Sequence, residues 1–185
     1  MGELLLESKQ FEDAVPRLEE AYGKDASAAN RNALAAAYVF TRKLDKALPL
    51  LEQSVAAEPG NYDLRMMYAR ALRAQRQFQP AARQFYAAAK LKPAEPKPWT
   101  ELGGMLYMAG DLPQALSAFE QAAKNGDQTA GNWFLRAIIL DKLRQIRPAK
   151  DAYQRFLALS QGKNPDQEFQ ARQRARIPQR EIDKR

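Results

Sequence analysis

Cysteine and histidine are both absent from the 185 residues, and the two absences remove much chemistry at once. Thiolates and imidazoles are the usual ligands of zinc, haem and iron–sulfur centres, so no such centre is expected. A cysteine nucleophile, a histidine-based triad and a disulfide framework are excluded outright. Long apolar runs are missing as well. The opening segment, MGELLLESKQ, holds three leucines and then Glu7, which is neither a bilayer span nor the apolar stretch of a signal peptide. Leu6 stands where a myristoylation site needs Ser or Thr. Removal of a signal peptide, or excision from a longer chain, would leave the same start. The compartment therefore stays open between cytoplasm and periplasm.

No glycine-rich phosphate loop is present. Gly103-Gly104 falls inside a helical pattern, where close packing explains the first glycine. Adjacent acidic pairs occur only at Glu12-Asp13 and Glu19-Glu20. Neighbours on a helix point about 100° apart, so neither pair converges on one atom. With Ser, Thr, Lys, Tyr and scattered carboxylates as the only reactive groups, an enzyme is not expected, nor a cofactor or a bound metal.

What the chain does have is apolar content, 45%, and an excess of basic charge, 29 Lys and Arg against 22 Asp and Glu. That charge is uneven. Residues 1–61 carry seven basic and ten acidic side chains, residues 62–129 nine and six, and residues 130–185 thirteen and six. The net +7 thus belongs to the last third, which would steer an acidic partner to that end. A reading motif for nucleic acid, or a basic stripe with aromatic platforms, is absent, so nucleic acid is not expected as a ligand.

The apolar residues repeat. Ala14, Ala47, Ala81, Ala115 and Ala149 lie 33, 34, 34 and 34 residues apart. Twelve residues before each stands a small residue: Gly2, Ala35, Ala69, Gly103 and Ala137. Four after each stands a large one: Leu18, Leu51, Phe85, Phe119 and Tyr153. Two further columns keep the same phase: Phe11, Leu44, Phe78, Leu112, Ile146, and Leu5, Tyr38, Leu72, Leu106, Leu140. Spacings of three and four inside each block make helix stripes, and a gap of about three residues separates two stripes per block. Each block is therefore expected to be two antiparallel helices joined by a short turn. The small residues mark where the two helices approach most closely. Pro59 and Pro93 close the second helix of their blocks.

Trp99-x2-Leu102-Gly103-x2-Leu106, followed by Ala115-x3-Phe119, closely resembles the tetratricopeptide repeat signature, and the period of 34 agrees. The resemblance covers residues 2–163. It implies an all-α fold, a right-handed α–α superhelix of antiparallel helical hairpins (a tetratricopeptide solenoid) with a C-terminal capping helix. A partial repeat is expected at 1–27, keeping half of its first helix, and full repeats at 28–61, 62–95, 96–129 and 130–163. In the fourth, Arg136 replaces an apolar residue and Phe156 replaces an alanine, which predicts a local shift or an unusual cap. Asn125-Gly126-Asp127 is a strong turn signal and the connection expected to be loosest. Residues 164–185 open with Asn164-Pro165, a helix start, and Pro178 ends that helix. Beyond it, the arginines and lysines up to Arg185 form either a solvated tail or a basic arm.

The resemblance also implies a function, protein–protein interaction through a concave groove lined by first helices, within a scaffold or as a regulatory or substrate-presenting module of a larger enzyme or export assembly. The groove-facing residues it implies are Asn32, Val39, Met66, Met67, Arg70, Arg73, Lys97, Glu101, Tyr107, Met108, Phe134 and Ile138, with Phe40, Gly104, Leu135 and Lys142 beside them. A subgroup of the family grips a C-terminal carboxylate with a clamp of two Lys, one Arg and two Asn. In the best frame only Lys97 keeps its type; Ala36, Met67 and Glu101 occupy other clamp positions and Asn32 replaces a lysine, so that mode is rejected. The implied partner is a protein or peptide with apolar and acidic residues. Oligomeric state is left open.

Overall fold

The computed structural model describes residues 2–176, with side chains from residue 10 onward. Among the described residues there are ten α-helices and no strand. In chain order they are α1 (Gly2–Lys24), α2 (Ala28–Phe40), α3 (Leu44–Ala57), α4 (Tyr62–Ala74), α5 (Phe78–Leu91), α6 (Pro96–Met108), α7 (Leu112–Lys124), α8 (Ala130–Lys142), α9 (Ile146–Ser160) and α10 (Pro165–Ala175). They form two compact units, Met1–Lys92 and Pro93–Arg185. The tail residues Arg180, Lys184 and Arg185 lie outside the described residues.

From α2 onward the helices pair as antiparallel hairpins. Each hairpin turn has one conformation repeated four times. Arg42, Arg76, Gly110 and Arg144 take left-handed φ values of 59°, 58°, 86° and 62°. The next amide then reaches back over the turn: Lys43 N–H donates to the Tyr38 carbonyl at 2.8 Å, and Gln77 to Leu72, Asp111 to Leu106 and Gln145 to Leu140, each at 2.9 Å. This closure satisfies carbonyls that the helix end would leave bare. Helix starts are equally local. Ser27, Asn61 and Thr129 accept from the amides of Asn30, Leu64 and Asn132, and so cap α2, α4 and α8.

The sequence columns become the core. Ala47, Ala81 and Ala115 are completely buried, as are Leu51, Phe85 and Phe119. At Gly103 the approach is closest: a Cβ there would stand 2.9 Å from the Phe119 ring. Burying each such large side chain stabilises the hairpin by about 1.5–3 kcal/mol. The fourth hairpin keeps the register despite its departures. Arg136 lays its guanidinium over the Trp133 ring at 4.3 Å, and Phe156, fully buried, packs on Phe134 at 4.7 Å. No local shift is needed.

Two expectations fail. The first block has no turn: α1 runs unbroken through Ser8-Lys9-Gln10, the residues in register with the four hairpin turns. A left-handed residue other than glycine costs about 1–2 kcal/mol, and the continuous helix spares Lys9 that conformation. The α7–α8 connection is also tied down. Asn125 Nδ2 donates to the Pro93 carbonyl at 2.8 Å, and Asp127 accepts from the Thr100 and Thr129 hydroxyls at 2.6 Å each. Burial would raise the Asp127 carboxyl, but the hydrogen bonds from Thr100, Thr129 and Asn132 hold it below the usual range. No helix among the described residues is long and apolar enough to cross a membrane.

Candidate partner-binding surface

Whether a first-helix side chain is available to a partner depends on which column it occupies. Positions 32, 66, 100, 134 and 168 form one column at the 34-residue period, and the structure spends all of it internally. Asn32 accepts from the Ser54 hydroxyl and donates to Glu58 at 3.0 Å, joining α2 to the end of α3. Asn61 and then Asn32 hold the Glu58 carboxyl below its ordinary value. Met66 is 3% exposed and Phe134 6%. Thr100 bonds Asp127, and Glu168, 4% exposed, accepts from the Gly162 amide at 2.6 Å and from Arg172 at 2.9 Å. Asn32, Met66 and Phe134 therefore serve packing and internal hydrogen bonding, not an open groove. The sequence mis-sorts Asn32 and Phe134 because they turn toward the second helix of their own hairpin, a contact no local pattern records.

Other predicted residues remain at the surface. In the first unit Arg70 and Arg73 are exposed, and Val39 and Met67 are half-buried against the core around Leu34 and Leu51. In the second unit Met108 is 52% exposed. Tyr107 is half-buried, with the Lys142 ammonium 5.0 Å from its ring centre. Ile138 is half-buried against the core around Phe134 and Tyr153. Lys97 and Glu101 line an open cavity of about 480 Å³ together with Thr100, Asp127 and Thr129.

One part of this face was missed by sequence reasoning. Helix α10 stays in phase with the first helices: Ala171, fully buried, follows Ala137 by 34 residues. Arg174 of α10 meets Asp141 of α8 at 3.2 Å, which sets the two helices side by side. Burial, and then the neighbouring Asp141, pushes the Tyr153 hydroxyl up to about 12, so it stays protonated beneath this contact. The column that holds Glu101 and Leu135 continues into Phe169, 66% exposed. The columns of Ile138 and Lys142 continue into Arg172 and Arg176, both exposed. Ala171 was the signal, but only that one of the five columns survives in α10.

The tetratricopeptide repeat family matches residues 41–99. The Vi polysaccharide export protein VexE of Salmonella typhi is 38% identical over 84 residues, 45% of this chain and 13% of that protein. The chain thus spans about an eighth of the relative it matches. Among solved structures, MamA 41-end from Desulfovibrio magneticus RS-1 superposes with a TM-score of 0.72 at 12% identity, covering 87% of this chain and 95% of that solved chain. YrrB, described as a TPR protein with an unusual peptide-binding site, superposes with a TM-score of 0.75 at 19% identity, covering 86% of this chain and 83% of YrrB. Period, hairpin turns and close-packed columns agree with these likenesses: residues 41–99 match the tetratricopeptide repeat, and the chain shares the helical-hairpin repeat fold of the solved structures.

Proposed function

We propose that this chain is a protein-interaction scaffold that binds a peptide or helix of a partner on the outward columns of its first helices, those of the second unit above all. The observation that carries the reading is the exposed pair Met108 and Phe169, large apolar side chains; the Met108 column also presents Lys142 and Arg176, and the Ile138 column presents Arg172. Apolar anchors beside cations suit a partner segment that mixes apolar and acidic residues. Lys97, Glu101, Tyr107 and Ile138 border the same face; in the first unit Arg70, Arg73, Val39 and Met67 stand on the corresponding one. The repeat is the functional unit, with hairpins at 28–61, 62–95, 96–129 and 130–163 and α10 closing the array. A photo-cross-linking residue placed at Met108 should capture the partner in cells, whereas one at Tyr86, exposed to a similar degree on second helix α5, should not. Capture at Tyr86 alone would refute the assignment.

A second reading is favoured by the partial match to VexE. The chain would then act as the repeat module of a larger export assembly, holding that assembly's components together. Co-purification of export components that depends on Met108 and Phe169 would separate this reading from a free-standing scaffold.

A further inference from the structure

Three of the four hairpin turns keep a residue that the turn itself disfavours. Arg42, Arg76 and Arg144 hold the left-handed backbone, and Gly110 holds it in the other turn. Glycine enters that conformation freely, and Asn or Asp can support it with a local hydrogen bond; arginine has neither advantage. The core gains nothing in return, since all three arginines are exposed. Strain kept at one repeat position, and each time with the same chemistry, points to a use for the side chain.

In the first unit two of these arginines stand on neighbouring turns. Gln75 Nε2 donates to Asp45 at 2.9 Å, which ties the end of α4 to the start of α3 and sets the two turns side by side. Arg42, Lys43 and Arg76 are exposed there, and neither arginine forms an ion pair with a described residue. Lys46, close by on α3, is by contrast paired with Glu19 at 3.1 Å. In the second unit Arg144 has no such counterpart, because Gly110 and Asp111 form the other turn.

We infer that the turn edge of the first unit is a second interaction surface, which takes an acidic polypeptide segment. Arg42 and Arg76 grip its carboxylates, each guanidinium offering a planar fork that matches two oxygens, and Lys43 adds attraction. Asp45 selects the form of the occupant. Its carboxylate sits at the junction of the two turns, so a surface of dense negative charge, such as an anionic bilayer, would be pressed against it. A polypeptide with spaced carboxylates passes it without that repulsion. The surface uses turn residues, none of which belongs to the outward columns proposed above for a partner.

The probe is a fluorescently labelled peptide of alternating Glu and Gly, titrated by anisotropy against the intact chain at physiological salt, where loose charge attraction is screened. The wild-type chain should bind it and ignore the matching Gln peptide. Arg42→Gly/Arg76→Gly should weaken binding about tenfold while raising the melting temperature, so misfolding cannot explain the loss. Arg83→Ala/Lys90→Ala removes the same charge from exposed positions of α5 and should change binding by less than about twofold. Equal losses in the two charge-matched doubles would reduce the effect to net charge and overturn the proposal. So would a wild-type chain that fails to bind the Glu peptide, or one that prefers phosphatidylserine vesicles to it.

Discussion

Two adjacent glycines show how much a single Cβ decides. Gly103 and Gly104 both lie inside α6, where glycine costs about 0.5–1 kcal/mol relative to alanine. At Gly104 nothing lies within 4 Å of an added Cβ, so Gly104→Ala should stabilise the protein by about that amount. At Gly103 the added carbon meets the fully buried Phe119 ring, and Gly103→Val should destabilise by about 1–3 kcal/mol. Thermal melts of the two variants check the opposite signs. Glu168 is the residue whose charge matters most to the last helix. The Ser160 hydroxyl, then the Gly162 amide and Arg172, hold its carboxyl below the ordinary 4.5, against the opposing effect of burial. A depressed folded-state pKa stabilises above the unfolded value and is lost as pH falls through the folded one. The docking of α10 should therefore weaken from about pH 4.5 downward, and Glu168→Gln should remove that pH dependence while lowering stability at neutral pH. An acid titration followed by a fluorophore on α10 reads both effects.

Elements are defined by turns as much as by helices. Three of the four hairpin turns place an arginine where glycine is preferred. Arg76→Gly should therefore stabilise by about 0.5–1 kcal/mol, and Gly110→Ala should cost about 1–2 kcal/mol, readable in urea midpoints. Helix existence and pairing were legible in the sequence because buried positions recur at a fixed period, and each column has one size of side chain. The left-handed arginines were not legible, since arginine carries no turn signal and adopts this backbone only because both flanking helices are anchored. The unbroken α1 was not legible either, since Gly2, Leu5 and Phe11 keep the columns of a hairpin. Of the residues the sequence pointed to for the candidate surface, Met108, Lys97 and Arg70 are exposed. The 32, 66, 100, 134 column was not legible as internal, because its occupants share no chemistry: an amide, a thioether, a hydroxyl and a ring, each satisfied by a different neighbour.

At the scale of the molecule, repetition uses one local solution several times in each unit. Each hairpin solves its own packing, so the outward columns are free to vary, and they differ between the ends of the chain: Ala33, Ala36 and Phe40 on α2 against Leu135, Ile138 and Lys142 on α8. The positive excess lies in residues 130–185, the stretch that also contributes Lys142, Arg172 and Arg176 to the exposed columns. The account rests on the division of first-helix positions into columns that hold the repeat together and columns left for a partner. Thermal unfolding of Phe134→Ala beside Met108→Ala tests that division most directly. Phe134, buried against Phe156 and Tyr153, should cost about 3–5 kcal/mol on truncation, and Met108, half exposed, no more than about 0.5 kcal/mol. Equal losses, or a larger loss at Met108, would contradict it.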